Sequence, residues 1–157
     1  IYKTFLKDDG YFSGIDPLQR IDLSLNVQDL GEYLLARYKT GELSISLKEP
    51  DRPLAYFAPC HQREQHIGHP YVEMIQSLPG ADIIPVGGEM NCCGMGGHLG
   101  FKTRFHEHSL AIGSRLFDRL AAASGRALVT DCLSCRMQLK QVFSQEVLHP
   151  LELLGTI

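Results

Sequence analysis

Three short apolar runs in this chain are each followed closely by cysteine, and this coincidence constrains the fold more than any other feature. "LAYFA" (54–58) leads into Pro59 and Cys60, "DIIPV" (82–86) into a loop with Cys92 and Cys93, and "ALVT" (127–130) into "DCLSC" with Cys132 and Cys135. Segments of helical periodicity lie between them. One helix is expected from about Pro70, and a long one from about Thr103 to Ser124. The long one carries Phe105, Ser109, Ile112, Leu116 and Leu120 on one face and has Gly125 as its stop. A third carries Leu139, Val142 and Phe143; a fourth apolar run, "VLH", precedes "PLELL", where Pro150 suits the first position of a helical turn. Strands alternating with helices imply parallel pairing through right-handed crossovers. The expected fold is α/β: a parallel sheet of about four strands with helices on both faces.

In such a sheet the carboxyl ends of the strands share one edge, and ligands gather there. The three cysteine groups fall on loops at that edge, so Cys60, Cys92, Cys93, Cys132 and Cys135 are expected to form one site.

Residues 1–50 read differently. They are polar and turn-rich ("KDDGYFSGIDPLQR"), with one helix in "NVQDLGEYLLARYKTG", where Val27, Leu30, Leu34 and Tyr38 follow helical spacing and Gly41 stands as the stop. "KEPDRP" marks the expected boundary between this N-terminal arm (1–50) and a main domain (51–157).

Composition narrows the function classes. With 157 residues, 44% of them hydrophobic, the chain can bury a core of its own. A net charge of −3 and scattered Lys and Arg give no electrostatic case for nucleic acid. No apolar run approaches the roughly 18 residues of a spanning helix, and the first residues have no signal-peptide pattern. The chain starts at Ile1, which reads as an excerpt or a processed product. No Ser/His/Asp set or carboxylate pair suggests a hydrolase.

Five cysteines, an odd number without a signal peptide, argue for a reducing, cytoplasmic setting and against a disulfide scaffold. The spacing is C-x31-CC-x38-C-x2-C. A CxxC after a strand also suits thioredoxin-like chemistry, but that chemistry needs no further cysteines. Structural zinc takes four ligands, and two adjacent thiolates are awkward for one small ion. An iron–sulfur cluster offers several irons to an all-thiolate shell. "NCCGMGGHLG" (91–100) adds Gly94, Gly96 and Gly97, whose backbone N–H groups could form a nest for an anionic cluster. A dinucleotide loop fits poorly, because Leu99 stands where the third glycine belongs. His61 and His149 each follow a strand on the cysteine side; each reads as a thiolate partner or replacement ligand, or as a loop or capping residue. His66, His69, His98, His106 and His108 read as solvated, and Lys102, Arg104 and Arg136 as surface charges or a docking face.

"APCH", "CCGMGGHLGFK", "TDCLSCRMQ" and "HPLELL" together resemble the cysteine-rich CCG domain family. That domain occurs in the subunit designated B of heterodisulfide reductase, in glycolate oxidase iron–sulfur subunits and in the subunit designated C of anaerobic glycerol-3-phosphate dehydrogenase. The flanks "GMGGHLGFK" and "CRMQ" look closest to the C-terminal copy in the last of these. The resemblance implies that the five cysteines ligate a [4Fe–4S] cluster, of non-cubane type in heterodisulfide reductase. It implies electron transfer from a flavin-containing dehydrogenase subunit toward membrane quinone, beside a second cysteine-rich or ferredoxin-like domain, at the inner face of the cell membrane. Two alternatives remain at this point: a cluster that acts on a disulfide, and a structural zinc site organising an interface.

Overall fold

A computed structural model describes residues 6, 10–48, 50–88, 91–97 and 99–155. Four strands, β1 (Leu54–Phe57), β2 (Ile83–Val86), β3 (Ala127–Val129) and β4 (Val147–Leu148), form one sheet in the order β2-β1-β3-β4, with every pair parallel. All of β1 is buried, as expected of a central strand covered on both faces.

Alternate residues of the strands point into two cores. Leu54, Tyr56, Ala127 and Val129 face α2 (Leu30–Lys39), α4 (Pro70–Gln76) and the last turn α7 (Pro150–Leu153), through Leu34, Tyr71, Met74, Ile75 and Leu153. Ala55, Phe57, Leu128 and Val147 face α5 (His106–Ala122) and α6 (Leu133–Val142), through Leu116, Leu120 and Leu139. Cys93, Met95 and Cys135 belong to this second core, so the cysteine loop is partly built into it.

The N-terminal residues join the first core. Leu34 and Ile45 are buried in it, and Gly31 of α2 lies so close to Tyr71 that an added Cβ would come within 2.8 Å of the ring. Lys48 N donates to Leu153 O and Gly155 N to Ser46 O, which ties residues 46–48 to the chain's last turn.

Two expectations need correction. The segment read as turn-rich contains a second helix, α1 (Pro17–Asn26), capped by Asp16, whose carboxylate accepts from Leu18 N and Gln19 N. Its buried residues are Arg20 and Ser24, while Leu18, Ile21 and Leu25 are exposed, so no inward apolar stripe marked it. The long helix begins with a 3₁₀ turn (Thr103–Phe105), and its buried line is Ser109, Gly113, Leu116 and Leu120. Ile112 is 47% exposed. Gly113 takes its place because it is closely covered: a Cβ on it would meet the Phe117 ring at 2.2 Å and Cys93 O at 2.8 Å.

Candidate metal centre

The parallel sheet puts the residues after β1, β2 and β3 on one edge. Cys60 opens the short helix α3 (Cys60–Arg63) three residues beyond β1, and Cys132 caps α6 three residues beyond β3. These two strands are neighbours, but the chain leaves β1 for β2 on one side and returns to β3 on the other. That makes β1/β3 the switch point of the sheet, where the two outgoing loops diverge and leave a crevice. Cys92 and Cys93 reach toward it from the loop after β2.

None of the five thiols is in a disulfide; Cys60 is exposed, Cys92 and Cys132 half-buried, Cys93 and Cys135 buried. The Cys135 thiol donates to Cys93 Sγ at 3.1 Å, joining two of the three loops. This bond holds the Cys93 thiol below its ordinary value, and Cys135, with help from His61, lowers Cys132 to about 4. Its own proton is held far more tightly than a free thiol's. Cys60 is pushed up by partial desolvation and then by the charges of Cys92 and Cys93. Among the described residues, no three His, Cys, Asp or Glu side chains are gathered closely enough to grip a single ion.

The glycine loop divides into two parts. Gly94 is buried, has φ +85°, and its N–H donates to Cys92 Sγ at 3.3 Å. A Cβ there would fall 1.9 Å from Ser109 O, so only glycine fits between the loop and α5. Gly96 and Gly97 are exposed, with open space around them. His98 lies outside the described residues.

The two histidines take different roles. His61 is hydrogen-bonded to Cys132, and this bond raises its pKa. His149 instead caps α7: its Nδ1 accepts from Leu151 N, and burial lowers its pKa. Arg136 is engaged as well, with Nε on Val147 O and Nη2 on the Glu152 carboxylate. His66, His69, His106 and His108 are exposed, as expected.

Several residues that frame the site carried no motif. Arg63 donates to Ala58 O at 2.8 Å and to Asn91 O at 2.5 Å, clamping the end of β1 to the loop before Cys92. Asn91 in turn accepts from Gly88 N. Behind Cys60, the Tyr56 hydroxyl lies 3.1 Å from Gln62 Oε1 and 3.2 Å from Asp131 Oδ1, and burial lifts the Asp131 carboxyl to about 6. Gln138 and Ser109, both fully buried, bond each other at 2.9 Å beside the cysteine loop. Helical spacing could have flagged Gln138, which lies one turn beyond Cys135 on α6.

Three buried polar atoms without a protein partner, Gln62 Nε2, Thr130 Oγ1 and Gln138 Oε1, lie close in sequence to the cysteines. Soft thiolate donors backed by backbone N–H groups and buried amides make a donor set suited to an iron–sulfur cluster.

Comparison with known proteins agrees with this geometry. The chain is 30% identical over 112 residues to the subunit designated C of anaerobic glycerol-3-phosphate dehydrogenase from Escherichia coli K12, a match covering 71% of this chain and 28% of that protein. It is 25% identical over 139 residues to the subunit designated B of fumarate reductase (CoM/CoB) from Methanothermobacter marburgensis, covering 88% of this chain and 27% of that protein. Both relatives are subunits of oxidoreductases, and the chain spans about a quarter of their length. The cysteine-rich domain profile CCG matches residues 54–140, from the first residue of β1 through the CxxC helix. With more than half its length matched, and the matched part being the sheet and loops that present the cysteines, the chain belongs to the cysteine-rich CCG domain family.

Proposed function

We propose that this chain is an iron–sulfur electron-transfer module of a multi-subunit oxidoreductase, with Cys60, Cys92, Cys93, Cys132 and Cys135 as ligands of a [4Fe–4S] cluster of cubane or non-cubane type. The observation that supports this reading most is that all five free cysteines follow β1, β2 and β3 of one parallel sheet, with the Cys135 thiol bonded to Cys93 Sγ. A cluster supplies one-electron chemistry, accepting and releasing an electron without bond changes in the protein. The chain's residues supply the rest. Gly94 N–H donates to the Cys92 sulfur. His61 stabilises negative charge on Cys132, and Arg63 fixes the loop that carries Cys92. Gly96 and Gly97, exposed on the far part of the loop, would offer further N–H donors to an anionic group.

The relatives are named as subunits of a dehydrogenase and a reductase, and we propose a place between a flavin-containing dehydrogenase subunit and a quinone, with a second cysteine-rich or ferredoxin-like domain beside it. Among the described residues no helix is long and apolar enough to cross a membrane; the membrane contact proposed here is peripheral or made through other segments of the assembly. One observation favours a second reading. The relative matched over the larger share of this chain is a reductase named for CoM/CoB, and the exposed Cys60 would leave a cluster open on one side for a disulfide.

The test is anaerobic purification and metal analysis. Iron and acid-labile sulfide in about equal amounts, lost together in Cys93→Ser with unchanged far-UV circular dichroism, are the expected result. Colourless protein with one zinc per chain would overturn the redox assignment in favour of a structural zinc domain. Steady reduction of a heterodisulfide by the loaded chain with an artificial donor would make the cluster a catalyst.

A further inference from the structure

The most developed contact near the cysteines is a line of hydrogen bonds that the five-cysteine motif does not include. Gln138 Nε2 donates to Ser109 Oγ at 2.9 Å, and Ser109 Oγ donates to Gly94 O at 2.8 Å. The N–H of the same Gly94 donates to Cys92 Sγ at 3.3 Å. An amide on the CxxC helix is thus connected through a hydroxyl to the residue of the opposite loop whose N–H holds a cysteine sulfur. Hydrogen bonds in such a chain polarise one another, and a buried setting strengthens each. Gln138 and Ser109 are both 0% exposed, so water does not compete for these bonds.

The same line is a spacer. Gln138 sits one turn beyond Cys135, and Cys135 faces Cys93 across 3.1 Å. The bonds from Gln138 through Ser109 to Gly94 fix how far the CC loop stands from the CxxC helix. Gly94 packs so closely on Ser109 O, and Gly113 on Cys93 O, that an added Cβ at either would overlap backbone.

We propose that Gln138 and Ser109 are positioning residues, holding the Cys93 sulfur opposite the CxxC pair and keeping the Gly94 N–H on the Cys92 sulfur. This rests on the iron–sulfur reading only for its redox consequence. Hydrogen bonds to cluster sulfurs are among the factors that set its potential, and they favour the more negative, reduced state. Removing the relay therefore makes the cluster harder to reduce.

The experiment has one arm with metal and one without. The variants are Ser109→Ala and Gln138→Leu, with Ser114→Ala as control, since the Ser114 hydroxyl only bonds Ala111 O within its own helix. In the first arm, the midpoint potential of the loaded chain is measured. It should fall in both variants by at least about threefold in the reduction equilibrium, roughly 30 mV for one electron. In the second arm, Cys60, Cys92 and Cys132 are serine, and diamide oxidises Cys93 and Cys135 to a disulfide. The two thiols give up two electrons and two protons, and diamide becomes the hydrazine.

That closure should be about tenfold slower in each variant, because a broken buried bond leaves unpaired groups and frees the loop. Circular dichroism should show the sheet folded in all of them. Unchanged closure in both variants overturns the proposal, as does an unchanged potential in a loaded chain. If neither iron nor sulfide binds while closure slows as expected, the electron-transfer reading falls and the positioning role stands.

Discussion

Replacing Gly94 by alanine tests most directly how the cysteine loop is held. The residue has φ +85°, which costs an L-residue with a Cβ about 1–2 kcal/mol. The new methyl group would lie 1.9 Å from Ser109 O and 2.9 Å from its carbonyl carbon, and both atoms belong to the backbone of α5. Backbone in a helix cannot yield as a side-chain tip can, so an overpacking cost of about 1–3 kcal/mol is added. The total is roughly 2–5 kcal/mol, which for a domain of this size lowers Tm by about 5–15 °C. The loop can escape the overlap only by leaving α5, which breaks the Ser109–Gly94 bond as well. Gly97→Ala is the matched comparison. Its φ is +62°, but open space surrounds it, so only the backbone cost of about 1–2 kcal/mol applies. Thermal unfolding of the reduced, metal-free chain would be followed by far-UV circular dichroism for wild type and both variants. Equal losses in the two variants would refute the reasoning, since the contact with α5 would then carry no weight.

Gly113→Ala should destabilise, although the same exchange in an ordinary helix stabilises by about 1 kcal/mol, because its Cβ would overlap the Phe117 ring and Cys93 O; urea midpoints decide the sign. Arg63→Ala should leave the sheet intact but increase hydrogen exchange at residues 91–93 and reduce iron retention, as the loop loses its bond from the guanidinium to Asn91 O. Glu152 should contribute acid-sensitive stability. Its pKa is lowered by the His149 N–H and then by Arg136, so the contribution is present above the ordinary carboxylate range and is lost as pH falls through the lower folded value. The carboxylate is about half exposed, which screens the effect to about 0.5 kcal/mol, and Glu152→Gln should flatten the Tm-against-pH curve in the acid range and leave the neutral plateau nearly in place.

The parts of this fold that could be read in the sequence are those where burial leaves a local pattern. Strand β1 is buried on both faces, so it reads as an unbroken apolar run, and the same holds for β3. Helix α2 could be read from Leu34 and its neighbours, because it packs against α4 in the usual sense, apolar side inward. Helix α1 breaks that rule. It buries Arg20 and Ser24 and exposes its leucines, so a search for an inward apolar stripe reads it as turn, and only Asp16-Pro17 at its start signalled otherwise. In α5 the error was one of phase. The spacing points Ile112 inward, whereas the buried position is its neighbour Gly113, where the Phe117 ring and the Cys93 carbonyl leave no room for a Cβ.

The site divides along the same line. Convergence of the cysteines follows from topology alone: once three strands run parallel, the loops after them share an edge whatever their sequences. What holds those loops at their mutual distance follows from no such rule. Arg63, Ser109 and Gln138 are polar residues on helices, and the type of each points to solvent, although helical spacing puts Ser109 on the inward face of α5. Ser109 and Gln138 are instead buried, and Arg63 is drawn to backbone carbonyls, because the loops ending at Cys92, Cys93 and Cys132 leave backbone groups at the sheet edge that neither helix nor strand can satisfy. A parallel sheet that places reactive residues on loops after its strands must also bury the irregular backbone of those loops. Polar side chains from the flanking helices have to follow it inward, and this is why the residues that set the spacing of the cysteines lie on α3, α5 and α6 instead of within the cysteine motif.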